Sequence, residues 1–209
     1  MAAERAGCVI QFAKAPVPGR VKTRLHACLG PEGAAGLSER MIAGVSAALG
    51  AVPAGWESVL CADDPGHACF HALAERSGQG LWEQGEGDLG ERMARACTRA
   101  LRSFPAVIVV GSDCTGYDPG YLRRAMCLLA SGTQAVLGPA VDGGYVLIGL
   151  RRCPEGLFEG IAWGSASVAS SQRRRLQQFG LPWQELPPRA DVDRPVDLWM
   201  VSPPGASQA

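Results

Sequence analysis

Apolar positions along the chain fall into two alternating rhythms. Short, nearly continuous runs bounded by glycine, proline or aspartate predict strands over 8–13, 56–62, 81–84, 106–111, 135–138, 145–150 and 183–186. Between them, apolar residues at helical spacing predict helices over 32–49, 67–76, 88–102, 119–130 and 166–179. A shorter helical stretch is expected from Val21, with Gly30-Pro31 breaking it before the long helix begins. Asp88 is placed to cap the helix it opens, and Phe104-Pro105 to end it. The run Ala106 to Gly111 is rich in β-branched residues, the composition of a parallel strand covered on both faces. Strands 135–138 and 145–150 lie close enough in sequence to pair, and a last helical turn follows Asp191-Val192-Asp193. Repeated βα units with polar, glycine-rich segments at strand ends predict an α/β fold that binds ligands at the carboxyl edge of its sheet. Residues 1–202 read as one domain and 203–209 as a loose tail.

Composition narrows what such a fold can do. With 209 residues, 47% apolar and 19% charged, the chain can bury a sizeable core, which excludes a disulfide-stapled miniprotein and a disordered tail. Its 20 basic and 20 acidic side chains cancel, so it lacks the broad basic footprint that nucleic acid or an anionic membrane surface requires; neither is an expected partner. Any anionic ligand must be held by a local cluster. No window approaches the roughly 18 consecutive apolar residues of a membrane span, and Met1 to Gly7 run as a short mixed tail into the first strand, so a cytoplasmic protein is expected. The eight cysteines form no C-x-x-C pair and read as mostly buried, reduced thiols. Cys61, Asp63, Asp64, His67, Cys69 and His71 crowd together, but zinc sites use tighter paired spacing and Asp64-Pro65-Gly66 reads as a turn leading into a helix.

Four constellations carry candidate chemistry. Of the 20 basic residues only Lys14 and Lys22 are lysine, and they share one loop; a compact ammonium and a planar guanidinium are not interchangeable, so this loop stands out. Its sequence, K-A-P-V-P-G-R-V-K-T-R, sets Lys14, Gly19, Arg20, Lys22, Thr23 and Arg24 between a strand and a helix. Turn amides and a helix N-terminus favour an anion there, and clustered cations can neutralise a diphosphate or triphosphate. A solvated basic turn is the alternative, and the mutual repulsion of such close charges weighs against it. The Walker pattern is absent. Asp113, the first carboxylate after the most apolar strand, suits a hard divalent cation whose shell is completed by phosphate and water; a turn or helix-capping aspartate is the alternative. In Asp142-Gly143-Gly144-Tyr145 the paired glycines permit either close approach to a ligand or a tight hairpin. Asp191 and Asp193 project to the same side of an extended backbone, which suits a second metal ligand, although an N-cap at Asp193 ahead of Pro195 fits equally.

Six ordered blocks together resemble one family: K-A-P-V-P-G-R-V-K-T-R-L (Lys14 to Leu25), Q-G-E-G-D-L-G-E-R-M (Gln84 to Met93), G-S-D-C (Gly111 to Cys114), G-P-A-V-D-G-G-Y-V-L-I-G-L (Gly138 to Leu150), W-G-S (Trp163 to Ser165) and D-V-D-R-P-V-D-L (Asp191 to Leu198). They look like the bacterial glycosyltransferase family associated with arsenosugar biosynthesis and with radical-SAM or selenium-protein clusters. The resemblance covers nearly the whole chain. It implies a three-layer α/β/α sandwich of the GT-A, nucleotide-diphospho-sugar transferase type with a mostly parallel sheet, similar to the guanylyltransferases that act on molybdopterin and 2-phospho-lactate. It further implies that Lys14 to Arg24 wraps the donor phosphates, with Arg20 and Lys22 acting beside Asp113 in catalysis. Asp113 with Asp193 and Asp191 would hold Mg2+ or Mn2+. Gln84, Asp88, Gly90 and Arg92 would approach the base, and Asp142, Gly143, Gly144 and Tyr145 the acceptor. One departure stands out: Thr115-Gly116-Tyr117 follow the Ser-Asp-Cys block where the family usually has proline.

The implied partners are a nucleoside triphosphate or nucleotide sugar and a small acceptor. The crowded cationic loop favours nucleotidyl transfer, because a triphosphate presents more charge than a diphosphate sugar, whereas the family's usual name favours glycosyl transfer. A nucleotide-binding protein without turnover is a third reading, one that would not need Asp113 and the Asp191/Asp193 pair.

Overall fold

The computed structural model describes residues 5–114 and 119–201, so Thr115-Gly116-Tyr117 and the tail 203–209 lie outside the described residues. The strands are β1 (Gly7–Ala13), β2 (Trp56–Ala62), β3 (Gly80–Glu83), β4 (Val107–Gly111), β5 (Ala135–Pro139), β6 (Tyr145–Leu150) and β7 (Trp183–Glu185). The helices are α1 (His26–Leu49), α2 (Ala68–Ser77), α3 (Leu89–Leu101), α4 (Pro119–Ala130) and α5 (Val168–Gln178). All seven strands form one sheet in the order β3-β2-β1-β4-β6-β5-β7. Neighbours are parallel except for β6, which runs antiparallel to both β4 and β5.

Helices cover both faces of the sheet. On one, Ile10, Val107 and Val109 pack against Met93 and Cys97 of α3 and Leu176 of α5. On the other, Val9, Ile108 and Leu147 meet Val45 of α1 and Leu122 and Leu129 of α4, while Leu60 and Ala62 meet Phe70 and Leu73 of α2. Burial on both sides explains why these strands read as continuous apolar runs rather than alternating ones. The topology also gathers the polar segments. The loops after β1 and β4 leave the carboxyl edge, and because β6 runs the opposite way its beginning, preceded by Asp142-Gly143-Gly144, reaches that same edge.

Two helical expectations change in detail. The stretch expected from Val21 starts two residues later, as a 3-10 turn over Thr23–Leu25 that runs into the first turn of α1 at His26, because Lys22 adopts a left-handed conformation (φ 48°) that a helix cannot continue through. The Gly30-Pro31 break is a kink inside α1: Gly30 takes φ 67° and Pro31 restarts the helix, where its missing N–H is harmless. The cysteines also differ from expectation. Cys8, Cys61, Cys97 and Cys114 are buried, but Cys28 and Cys127 are exposed on the outer surfaces of α1 and α4.

Gln11 is the polar exception within β1, with no exposed surface. Its Nε2 donates to the Ile42 carbonyl (2.9 Å) and to Ser112 Oγ (3.2 Å), while Ser46 Oγ donates to its Oε1 (2.7 Å). Ser112 Oγ in turn donates to the Phe12 carbonyl (2.8 Å). This network ties β1, α1 and the end of β4 together directly beneath the carboxyl edge. Gln11→Ala leaves those partners unsatisfied around a void and should lower unfolding free energy by about 2–4 kcal/mol in urea titrations. A loss below about 0.5 kcal/mol would show that the network is dispensable.

Candidate active site

The loop after β1 is built by its own turn chemistry. Val17-Pro18-Gly19-Arg20 forms a tight turn in which the Arg20 N–H donates to the Val17 carbonyl (3.0 Å) and Gly19 takes φ 83°, the conformation that a type II turn reserves for glycine. Lys14 Nζ donates to the Arg20 carbonyl (2.9 Å), closing the loop on itself. Val21 and Leu25 are buried and anchor its far end, leaving Lys14, Arg20, Thr23 and Arg24 exposed.

Lys22 is different: its side chain is only 3% exposed. Its Nζ donates to the Val192 carbonyl (2.6 Å) and pairs with Asp113 Oδ1 (2.8 Å). The Val192 N–H donates to the Asp113 carbonyl (3.0 Å), and Cys114 and Asp191 form an antiparallel bridge. Arg24 pairs with Asp193 at the exposed rim of the same assembly. The basic loop, the end of β4 and the segment 191–193 are therefore one assembly. Asp193 does not cap the final 3-10 turn (Pro195–Met200); Arg194 precedes that turn, and Asp197 accepts the N–H groups of Asp193 and Arg194. Burial, together with the nearby carboxylates of Asp142 and Asp193, pushes the Asp191 carboxyl above its usual range, against the opposing pull of Lys22.

Two hollows meet at this assembly. One of about 470 Å3 is lined by Lys14, Arg20, Lys22, Asp63, Gln84, Arg92, Asp113 and Asp193. The other, of about 510 Å3, is lined by Lys22, Thr23, Arg24, Asp113, Asp142, Gly144, Tyr145, Trp163, Asp191 and Asp193. Lys22, Asp113 and Asp193 belong to both walls. Tyr145 packs edge-on to Trp163 (centroids 6.2 Å apart) and its hydroxyl reaches Gln172 Oε1 at 3.3 Å.

Other residues singled out in the sequence have structural roles. Gln84 Nε2 donates to the carbonyls of Ala13 (3.0 Å) and Cys61 (2.9 Å), so the Gln84 side chain braces β1, β2 and β3 while lining the smaller hollow. Arg92 Nε donates to the Gly87 carbonyl (2.9 Å). Asp88 forms a reciprocal capping box with Glu91 at the start of α3, and a side chain on Gly90 would strike the Phe158 carbonyl at 2.6 Å. Both line a separate hollow of about 880 Å3 beside α3. Gly143 (φ 95°) lies outside both adjoining hollows; a Cβ there would meet the Ala166 carbonyl at 2.2 Å, so it shapes the turn that delivers Asp142 and Tyr145. In the Cys61 to His71 cluster, Asp63 Oδ1 accepts the Ala15 N–H (2.7 Å) and His67 caps α2. Asp63 and Trp163 were missing from the residues read as site-forming; the W-G-S block carried the only signal for Trp163.

The family model described as "Uncharacterized protein conserved in bacteria (DUF2064)" matches residues 45–165. No curated protein matches the chain in sequence. Among solved structures, a candidate nucleotide-diphospho-sugar transferase from Desulfovibrio desulfuricans is 30% identical, with TM-score 0.83 over 98% of this chain and 89% of its own. A nucleotidyl transferase from Methanothermobacter thermautotroptrophicus is 14% identical, with TM-score 0.60 over 93% and 95%. Glucosyl-3-phosphoglycerate synthase from Mycobacterium tuberculosis, solved with Mn2+, UDP and glucosyl-3-phosphoglycerate, is 15% identical, with TM-score 0.57 over 92% and 74%. The GT-A, nucleotide-diphospho-sugar transferase fold expected from the sequence is the fold observed.

Because Lys22 satisfies a buried carbonyl and a carboxylate at once, Lys22→Met should lower unfolding free energy by about 1–3 kcal/mol. Arg20→Met, on the exposed part of the same loop, should stay within about 0.5 kcal/mol of the parent. Chemical denaturation compares them directly, and equal losses would contradict the anchoring role of Lys22.

Proposed function

The chain belongs to the bacterial family DUF2064, and we propose that it is a divalent-metal-dependent transferase that takes a nucleotide donor and a small acceptor from two adjoining lobes. The observation that carries this reading is the Lys22–Asp113 ion pair standing in the wall shared by both hollows. Lys14 and Arg20 line the smaller, donor lobe, where they would hold phosphate oxygens, and Arg92 flanks them. Lys22 and Arg24 sit at the junction, each paired with a carboxylate of the shared wall.

The residues present fit a hard divalent ion. Asp113 and Asp193 offer carboxylate oxygens in the shared wall, with Asp191 beside them in the larger hollow, although among the described residues no three ligating side chains converge. That donor set suits Mg2+ or Mn2+, which complete their shell with phosphate and water. When bound, the ion would neutralise charge on the donor phosphates and leaving group.

The 30% identical relative supports transfer of a glycosyl group from a nucleotide-diphospho-sugar. In that reaction an acceptor hydroxyl oxygen bonds to the anomeric carbon and the bond from that carbon to phosphate oxygen breaks. The nucleoside diphosphate leaves with the electron pair, and the hydroxyl proton passes to water. Nucleotidyl transfer is the second reading, favoured by the four cations of Lys14 to Arg24, which suit a triphosphate.

A panel of nucleotide sugars and nucleoside triphosphates with Mg2+ or Mn2+ and mixed acceptors separates these readings. The first expects nucleoside diphosphate among the products, the second pyrophosphate. Asp113→Asn should cut turnover by about 100-fold or more while leaving the fold intact. Unchanged turnover in that variant, or metal-independent nucleotide binding without product, would contradict the transferase reading.

A further inference from the structure

The two lobes differ in charge. Besides the shared Lys22–Asp113 pair, the donor lobe carries Lys14, Arg20 and Arg92. The larger lobe carries no further cation except Arg24, which is committed to Asp193. Its remaining charged groups are Asp142 and Asp191, neither of which forms an ion pair among the described residues.

Two of its neutral donors are engaged, whereas Trp163 Nε1 is buried without a partner. The Tyr145 hydroxyl is within bonding distance of Gln172 Oε1 (3.3 Å), and Ser165 Oγ donates to the Ala162 carbonyl (2.7 Å). Asp142 accepts the Gly144 N–H through Oδ1 at 2.8 Å, which leaves its second carboxylate oxygen as an acceptor. Much of the remaining wall is apolar, formed by Met93, Tyr145, Val146, Trp163 and Val168. A lobe with spare hydrogen-bond acceptors and an aromatic wall, but no uncommitted cation, repels an anion and suits a hydroxyl-bearing ligand with an apolar face.

We propose that the larger lobe takes an uncharged acceptor whose hydroxyls donate to Asp142 and Asp191 and whose apolar face lies against Tyr145 and Trp163, and that it rejects phosphorylated or carboxylated acceptors. This inference rests on the transferase reading above, and it assigns the chemical class of the second substrate.

The test uses the full chain with Mg2+ and whichever of UDP, GDP, ADP or CDP gives the largest metal-dependent thermal shift. Saturation-transfer NMR then titrates phenyl β-glucoside, β-galactoside and β-mannoside against their 6-phosphates. At least one neutral glycoside should bind about tenfold or more tightly than its phosphate, a difference of about 1.4 kcal/mol. Trp163→Ala should weaken the neutral probe, and Asp142→Asn should narrow the discrimination by about threefold or more, with the unliganded melting curve of each variant checking its fold. Phosphates that bind as tightly as the neutral glycosides, or a gap that Asp142→Asn leaves untouched, would overturn the inference. So would binding of no glycoside at all beside a normal nucleotide shift, an outcome that leaves the donor reading standing. Absence of any nucleotide shift would instead remove the transferase reading, and this inference with it.

Discussion

A single buried ammonium group holds the carboxyl edge of this sheet together. Lys22 comes from the loop after β1, yet its Nζ bonds the carbonyl of Val192, 170 positions away, and the carboxylate of Asp113 beyond β4. It does so from a left-handed backbone conformation that costs a non-glycine residue of order 1–3 kcal/mol, so the surrounding contacts must outweigh that strain. Beneath it, Val192 packs with Leu25, Leu37 and Met41. The C-terminal segment is thus pinned by polar contacts above and apolar contacts below, and Asp191 and Asp193 reach the site because Val192 between them is fixed.

The same constraint explains how one narrow edge sustains two lobes of different character. A basic loop and an acidic segment that approached freely would each repel their own kind. Pairing Lys22 with Asp113 and Arg24 with Asp193 lets both sit in one wall. Cations then dominate on one side of that wall and uncommitted carboxylates on the other. The antiparallel β6 matters for the same reason, since it returns Asp142 and Tyr145 to the edge where β1 and β4 end.

Much of this was legible in the sequence, for physical reasons. Buried parallel strands announce themselves as unbroken apolar runs, so β2 and β6 fall on the predicted bounds, and the Asp88 cap is visible because capping chemistry is local. The basic loop and Asp113 were recognisable from residue type beside a strand end, the Asp191/Asp193 pair from its spacing, and Asp142 from the family resemblance of its block. Contacts set by tertiary approach were not. The left-handed Lys22 depends on Val192 and Asp113, the burial of Gly90 on the Phe158 carbonyl, and the bracing role of Gln84 on carbonyls of two other strands. Trp163 lines the larger lobe through a loop between β6 and α5 whose path no local pattern encodes.

The most direct test of the central claim is a crystal structure grown with Mn2+ and a nucleoside diphosphate, with anomalous scattering used to place the metal. Manganese density at Asp113 and Asp193, with the diphosphate on the Lys14 and Arg20 side of the wall, is the expected result. Manganese bound elsewhere, or a nucleotide seated in the hollow beside α3 or in the carboxylate-lined lobe, would contradict it.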